Sequence, residues 1–349
     1  MADATFREYP GLTRTVLAEG LAALDAVRAG LIGDLGLDGY WLADMTLSEL
    51  SRETPHFPLP VVSERYAPGA GGNVAANLAA LKPRLVRVLG VLGQDWRGDL
   101  LLRALAEQGA DAGAVIRSAA RITPAYIKPI RQGYGGVAYE DPRLDFANST
   151  PQGPDLDEAV IARIDALATE SDVFCVSDQF PNGCITEAVR GHLVSLARAG
   201  ARIVVDSRSQ IDAYPGCLLK PNELECARAL GAVPRRDASL AELTDLALAL
   251  ARRTGSTVCM TLGERGCLLV EQGRIPVHVP AVPIEPPLDI CGAGDSFLSL
   301  FALALAAGQA APDAAAMASL ASAVTIQKLG QTGTASRREI LDLAGRDAT

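Results

Sequence analysis

The segment DICGAGD at 289–295 places glycines and a carboxylate immediately before a long apolar run. Glycines let the backbone turn tightly and approach a ligand, and the unpaired amides at a helix start form an anion site together with the helix dipole. Asp295 would stand in the first helical turn, beside that site. Amides that stabilise negative charge and a carboxylate that accepts a hydroxyl proton are what phosphoryl transfer requires. The alternative is that GAGD is only a loop with an acidic residue at a helix start.

Two common phosphate-binding motifs do not occur in the sequence. A Walker A loop requires GxxxxGK[ST], and a dinucleotide-binding loop requires GxGxxG between the first strand and a helix. The string GAGG at 69–72 satisfies neither pattern. The absence of GxGxxG counts against an NAD-dependent oxidoreductase, which the α/β pattern alone would allow.

The second half of the chain alternates helical and strand patterns, which would position the 289–295 segment. Apolar residues recur at helical spacing, with short continuous apolar runs between them. This alternation is typical of βαβ units whose parallel sheet is covered on both faces. After residue 155 it predicts helices at 157–169, 185–199, 223–231 and 240–254, and strands at VFCVS, ARIVVD and TVCMTLG.

The first half begins with a helical pattern over 11–28 and a buried strand over 29–34. The run PGAGGNVAANLAALKP at 68–83 opens with glycines and becomes a helix. We therefore predict a three-layer α/β/α fold, doubly wound around a mostly parallel sheet, over 29–349, preceded by an N-terminal helical extension over 1–28.

Two further segments predict a small β-sheet lid. Residues 121–148 alternate aromatic and polar residues around Gly135-Gly136, which is typical of a hairpin on an antiparallel sheet. Residues 40–66 carry prolines and scattered polar residues, which favour loops and edge strands. We expect the lid strands to come from about 40–66 and 121–148.

Composition restricts the class of protein. The 32 basic against 41 acidic residues give a net charge of −9, which disfavours general nucleic-acid binding but leaves room for a local cationic pocket. Seven cysteines without CxxC spacing and three histidines disfavour a zinc cage or a disulfide framework. The sequence has no signal-peptide pattern and no long apolar span, so we expect a cytoplasmic protein that does not bind membranes.

Nine short stretches, in order along residues 29 to 345, resemble the PfkB (ribokinase-like) family of sugar kinases. The resemblance is closest to the D-glycero-β-D-manno-heptose-7-phosphate kinase branch of ADP-heptose synthesis. The matching stretches are GDLGLDGYW (33–41), PGAGGNVAANLAAL (68–81), RLDF (143–146), VSD (176–178), VVDSR (204–208), LLKPNELE (218–225), TLGERG (261–266), DICGAGD (289–295) and KLG (328–330). The resemblance implies a ribokinase-like fold and transfer of the γ-phosphoryl group of ATP to a hydroxyl group of a sugar or sugar phosphate.

The resemblance also implies which residues act on the transferred group and on the sugar. Asp295 matches the catalytic base, which deprotonates the acceptor hydroxyl group. The matched positions of the anion hole facing the γ-phosphate are Gly292, Ala293 and Gly294. The matched positions on the sugar side are Asp38, Gly71, Gly72 and Asn73.

For the nucleotide side, the resemblance implies a set around the NxxE motif. The matched positions are Arg208, Asn222, Glu225, Thr261, Gly263 and Gly266. Glu225 would help to hold Mg²⁺ through water beside the phosphates, which suits a cation that prefers few carboxylates together with water and phosphate oxygens. Arg208 stands where the heptose kinases carry a lysine. A monovalent cation and a homodimer through the lid sheet are further features that the family leaves open.

Structural roles compete with several of these assignments. Asp38 and Asn73 could be capping or turn residues, and Asp34, a further candidate for the sugar pocket, could equally cap a turn. The spacing of Glu225 within NxxE is also that of a capping box. Arg208 could be a solvated surface charge.

Three positions depart from the heptose kinase pattern: Ala70 in the Gly-rich loop, Arg208 and Ser319, where an asparagine often lies beside the nucleotide. These departures motivate a rival, a sugar- or nucleotide-binding regulator that keeps the fold without catalysis. Within the enzyme class, another hexose, a pentose or a nucleoside competes with heptose 7-phosphate as the acceptor. The preserved Asp295 and NxxE motif favour the kinase.

Overall fold

The computed structural model describes residues 6–235, 237–330 and 332–345 of the chain. Within these ranges the strands are β1 (Arg7–Glu8), β2 (Arg28–Gly33), β3 (Leu35–Asp44), β4 (Val61–Ala70), β5 (Leu85–Leu89), β6 (Val91–Gly93), β7 (Ile116–Ser118), β8 (Ala125–Gln132), β9 (Ala138–Glu140), β10 (Leu144–Phe146), β11 (Val173–Asp178), β12 (Ile203–Ser207), β13 (Leu218–Leu219), β14 (Val258–Thr261), β15 (Cys267–Val270) and β16 (Val277–Val279). The α-helices are α1 (Arg14–Ala23), α2 (Gly71–Ala80), α3 (Trp96–Glu107), α4 (Pro154–Ala168), α5 (Glu187–Arg198), α6 (Glu223–Ala229), α7 (Leu240–Thr254), α8 (Ala293–Ala306), α9 (Ala311–Thr325) and α10 (Arg337–Ala344).

The main sheet has the strand order β1-β16-β15-β14-β13-β12-β11-β2-β5. Its pairs are parallel except β14 with β15 and β15 with β16. Strands β11 and β12 are buried along their whole length, as expected for parallel strands covered on both faces. In β11, Val173 and Cys175 face one apolar core, whereas Phe174 and Val176 face the other.

Helices cover both faces of this sheet. One core contains residues of α1, α2, α3, α8, α9 and α10, and the other contains residues of α4, α5, α6 and α7. The predicted three-layer α/β/α architecture is therefore confirmed. Among the described residues, no helix combines the length and the apolar character that a membrane span needs.

The lid is a separate five-stranded sheet in the order β10-β8-β3-β4, with β9 paired to β8. Strand β3 pairs antiparallel with β4 and parallel with β8. The lid strands begin earlier and end later than the predicted 40–66, because β3 starts at Leu35 and β4 continues to Ala70. A single residue, Asp34, lies between β2 and β3, and β4 leads into α2 with no residue between them.

The N-terminal segment is shorter as a helix than predicted. Thr13 caps α1 by accepting a hydrogen bond from the amide of Val16, and the α-helix ends at Ala23 rather than continuing to 28. Ahead of α1, β1 pairs with β16 at the edge of the main sheet. The predicted extension thus also contributes a strand to the main sheet.

Candidate active site

The candidate site lies where the lid meets the carboxyl ends of the parallel strands β12 and β13 and the start of α8. Open α/β sheets bind ligands at this edge. Asp206, near the end of β12, and Lys220, directly after β13, are neighbours because Val205 pairs with Leu219. The sequence-predicted Asp295 belongs to the first turn of α8.

Gly292 precedes α8 in the left-handed conformation, with φ 80°. A Cβ atom there would also lie only 3.0 Å from Nδ2 of Asn73, so both the backbone conformation and the available space favour glycine. The amide of Ala293 donates to the carbonyl of Ile290 and closes the turn. The amides of Gly294 and Asp295 follow in the first helical turn, where an α-helix supplies no acceptor. The predicted anion hole is therefore a helix start whose free donors come from its second and third residues.

The carboxylate of Asp295 is fixed by one short hydrogen bond, since its Oδ2 accepts from Nδ2 of Asn73 at 2.5 Å. Burial raises the pKa of Asp295 to about 7, and the nearby negative charges of Asp206 and Asp38 act in the same direction. The hydrogen bond from Asn73 and the positive charge of Lys220 oppose this rise. A carboxylate with a pKa near neutrality is matched to accepting a proton at neutral pH.

Asn73 is itself held by a buried chain of polar side chains between α2 and α8. Asn77 Nδ2 donates to the Asn73 carbonyl at 2.9 Å, and Asn77 Oδ1 accepts from Ser296 Oγ at 2.6 Å. Ser296 Oγ in turn lies 2.7 Å from Thr325 Oγ1. These side chains are buried, and buried polar groups need partners. Asn73, predicted on the sugar side, thus contacts the carboxylate of Asp295.

Asp38 lies on lid strand β3, opposite Ala67 of β4 and Tyr126 of β8. Burial raises the pKa of Asp38 to about 6, although the positive charges of Lys128 and Arg143 oppose the rise. A Cβ atom on Gly69 would lie 2.7 Å from Asp38 Oδ1, so a glycine at 69 makes room for this carboxylate. The lid thereby places the Asp38 carboxylate, with Lys128 and Arg143 near it, close enough to Asp295 to act on its pKa.

Asp34 does not lie free in the sugar pocket. Its Oδ2 accepts from the amides of Gln179 and Phe180, and its Oδ1 accepts from the amide of Cys184, at 2.7–2.8 Å. Asp34 is 3% exposed. The structure therefore gives Asp34 the turn role, because both oxygens hold the 179–184 loop against the strand junction.

The predicted glycines at the start of α2 are packing positions. The Gly71 amide donates to the Asp34 carbonyl at 2.7 Å, and a Cβ atom on Gly71 would lie at the same distance from that oxygen. A Cβ atom on Gly72 would lie 3.0 Å from Pro68 Cβ. Ala70 adopts φ 49°, a conformation that L residues rarely adopt. These contacts fix the start of α2, the helix that carries Asn73.

The NxxE motif forms a capping box at the start of α6. Asn222 Oδ1 accepts from the Glu225 amide at 2.8 Å, and Glu225 Oε2 accepts from the Asn222 amide at 2.9 Å. The capping alternative is therefore observed, and it occupies Oε2 while leaving Oε1 as the oxygen that could face a ligand. Thr261 is adjacent, since its amide donates to the Pro221 carbonyl at 2.9 Å.

The loop after β14 contains the other predicted nucleotide positions. Gly263, with φ 59°, opens a short 3-10 turn, and Gly266 ends it with φ 84°. A Cβ atom on Gly266 would lie 2.0 Å from the Val279 carbonyl oxygen, so this position excludes side chains. Arg208 is exposed, and its positive charge acts on both Glu225 and lid residue Tyr126. Arg208 therefore lies between the NxxE motif and the lid.

The model of the family described as pfkB family carbohydrate kinase matches residues 44–337. This chain belongs to the PfkB family of carbohydrate kinases. Among curated relatives, the bifunctional protein HldE of Bradyrhizobium sp. (strain ORS 278) is 33% identical over 326 residues, which cover 91% of this chain and 64% of that protein. HldE of Geobacter sulfurreducens is 32% identical over 323 residues, which cover 92% and 63%. This PfkB kinase thus spans somewhat under two thirds of the length of these relatives.

Solved structures confirm the ribokinase-like fold of this PfkB kinase. Arabidopsis thaliana ribokinase complexed with ribose and ATP is similar at a TM-score of 0.67 and 20% identity, covering 91% of this chain and 98% of that one. Escherichia coli phosphofructokinase-2 in complex with fructose-6-phosphate is similar at 0.69 and 17%, covering 93% and 100%. The family match identifies this chain as a carbohydrate kinase, whereas the likeness to these structures shows the fold alone.

The sequence alone does not point to two charged residues of the candidate site. Lys220 lies in the stretch LLKPNELE and Asp206 lies in the stretch VVDSR. The signal that could have found them is a charged residue at the end of an otherwise apolar parallel strand, because such residues are rarely buried without a role. Ser319, by contrast, donates within α9 to the Ala315 carbonyl.

Proposed function

We propose that this PfkB kinase transfers the γ-phosphoryl group of ATP to a hydroxyl group of a sugar phosphate, with heptose 7-phosphate as the first candidate. The observation that carries the proposal is the carboxylate of Asp295, with a pKa of about 7, at the start of a helix whose amides face the same space. Phosphoryl transfer depends on positioning and on electrostatic stabilisation, and a fixed carboxylate beside a helix start supports both roles.

In the proposed reaction Asp295 accepts the proton of the attacking hydroxyl group. The amides of Gly294 and Asp295, next to Gly292 and Ala293, bind the oxygens on which negative charge develops. Asn73 holds the carboxylate of Asp295 at its Oδ2, so that the other oxygen faces the acceptor. The lid excludes water, because water would otherwise accept the phosphoryl group.

The nucleotide side of the proposal uses the NxxE motif. Glu225 Oε1 would hold Mg²⁺ through water, and the bound cation would neutralise charge on the phosphates. Glu225 fits this role, because its capping hydrogen bond uses only Oε2. Thr261, Gly263 and Gly266 form the loop on which the nucleotide would lie.

Lid cations favour an acceptor that carries a phosphate group of its own. Lys128 and Arg143 both act on the pKa of Asp38, and Arg143 and Arg208 both act on Tyr126. Lys128 and Arg143 of the lid, together with Arg208 near Tyr126, form a local group of cations in a chain of net charge −9. Similarity to the bifunctional HldE proteins and the resemblance to heptose kinases support the same acceptor class.

The test is a screen of acceptors for ATP consumption with Mg²⁺. It compares heptose 7-phosphate, fructose 6-phosphate, their unphosphorylated sugars, ribose and a nucleoside, each with K⁺ and with choline as the monovalent cation. We expect a sugar phosphate to give the highest kcat/KM and heptose 7-phosphate to lead. Lys128→Met should reduce kcat/KM for the sugar phosphate more than for its unphosphorylated counterpart. Faster turnover of an unphosphorylated sugar would contradict the proposed acceptor class but not the kinase assignment.

Exposed apolar side chains on the lid support a homodimer through this sheet. Those exposed by more than half include Val62 of β4, Tyr139 of β9, and Tyr134 and Val137 of the connecting turn. Exposed apolar side chains that come together in a large patch are typical of an interaction site. Light scattering after gel filtration should give a dimer mass, and Val62→Glu should give the monomer; a monomeric wild type would contradict this proposal.

A further inference from the structure

Lys220 is a buried cation at the edge of the candidate active site, and the family resemblance gave it no role. It follows β13, is 3% exposed, and its Nζ lies 3.1 Å from Asp206 Oδ2. Its Nζ also lies 3.7 Å from the position that a Cβ atom on Gly294 would take. The ammonium group therefore stands directly against the first turn of α8, where the helix donors are.

The charges around Lys220 keep it protonated. Burial lowers its pKa, but attraction to Asp206, Glu225 and Asp295 outweighs burial and raises the pKa above its usual range. Three carboxylates thus share one buried ammonium group. The ion pair with Asp206 uses one of the three N–H donors of the ammonium group, which leaves two donors for a second anion.

We propose that Lys220 is a phosphate-binding residue of this kinase, whose Nζ donates to a terminal phosphate oxygen of ATP beside Gly294 while it remains bonded to Asp206. The inference rests on the proposed binding of ATP phosphates at the start of α8. Lysine is suited to this task as a compact point charge. Lys220 then adds positive charge where the helix amides alone would face several phosphate oxygens. In a purely structural role, Lys220 would only compensate Asp206.

The test compares binding of ATP, ADP and AMP to the full chain by calorimetry, with Mg²⁺ and without an acceptor. Lys220→Met should weaken ATP binding by roughly ten- to a hundredfold, the size of one lost charge-assisted hydrogen bond, and should leave AMP binding within about threefold. Arg103→Met, which removes an exposed charge on α3, serves as the control and should change neither. Unchanged ATP binding in Lys220→Met, or equal weakening of ATP and AMP, overturns the proposal.

Lys220→Met leaves Asp206 buried without its partner and could prevent folding. The double variant Lys220→Met/Asp206→Asn removes both charges. If the double variant binds ATP like the wild type, Lys220 only compensates Asp206 and the proposal fails. If ATP binding stays weak while AMP binding is retained, the proposal stands.

The wild-type protein offers a readout that needs no variant. The chain has four lysines, so a lysine-selective ¹³Cε spectrum is simple to assign. A non-hydrolysable ATP analogue should shift the Lys220 signal, whereas AMP should not; an unmoved signal overturns the proposal. A wild type that binds no ATP at all would remove the proposed function itself, which distinguishes the two failures.

Discussion

The hydrogen bond from Asn73 to Asp295 sets the pH at which the proposed base becomes active. Asn73 stabilises the ionised carboxylate, and it opposes the rise that burial imposes on the pKa of Asp295. Asn73→Ala removes this donor. The proposed base must be deprotonated to work, so a higher pKa moves the acid limb of the pH–rate profile upward.

The size of the shift follows from the strength of that bond. A hydrogen bond to a charged group contributes about 1.5–3 kcal/mol, and 1.36 kcal/mol corresponds to about one pKa unit. The acid limb of Asn73→Ala should therefore lie about one to two pH units above that of the wild type, whose limb is expected near pH 7. At pH 7 the variant should lose roughly five- to fiftyfold in kcat/KM, because the wild-type carboxylate is about half ionised there, with recovery at higher pH.

The assay is kcat/KM against pH, since this ratio reports the pKa values of the free enzyme and free substrates. Substrate phosphates titrate in the same range, but they do so equally for wild type and variant, so the difference isolates the enzyme. Ser299→Ala is the matched control. Ser299 Oγ lies within hydrogen-bond distance of the Val74 and Asp295 carbonyl oxygens, so it joins the same helices without contacting the carboxylate. An acid limb of Asn73→Ala that coincides with the Ser299→Ala limb would refute the reasoning.

Three other substitutions separate further roles. Asp295→Asn should lose about 10²–10⁴-fold in kcat. The folded pKa of the wild-type Asp295 is raised, so ionisation of this carboxylate destabilises the wild type as the pH rises through about 7. The variant should therefore melt at a higher temperature than the wild type at pH 8 but not at pH 4. Glu225→Gln can keep the capping hydrogen bond, so its melting temperature should change little while the Mg²⁺ concentration for half-maximal rate rises; an unchanged Mg²⁺ dependence would leave only the capping role. Gly69→Ala forces a Cβ atom onto Asp38 and should raise KM for the sugar severalfold without changing KM for ATP. Gly36→Ala is the control: its Cβ atom would have ordinary contacts at 3.6 Å, so KM for the sugar should rise far less.

The sequence was sufficient for the architecture and for the helix start that carries Asp295, because both depend on local pattern. Apolar runs such as VFCVS predict strands buried on both faces, and β11 has both of its faces in apolar cores. The glycines before Asp295 predict a helix start, which the left-handed Gly292 confirms. Helix α10 is not predicted from the sequence, although Ser336 and Glu339 form the capping box at its start.

Site residues whose role depends on a distant partner were harder to predict. Asp34 reads as a carboxylate at a strand end, but its partners are the amides of 179–184, far along the chain. The sequence predicts Asn73 as a sugar-binding side chain, yet its hydrogen-bond partner is Asp295, 222 positions away. Lys220 becomes noticeable only when the helix start beside it is known. Pairings of this kind are set by tertiary packing, which short-range spacing does not encode.

Strands β3 and β4 connect the lid to the main domain through very short connections. Only Asp34 separates β2 from β3, and β4 continues without interruption into α2. A lid attached in this way cannot swing freely on a linker; its rotation must pull on the first turn of α2, the turn that carries Asn73. If the acceptor binds under the lid as proposed, lid rotation would also displace Asn73 and its hydrogen bond to Asp295.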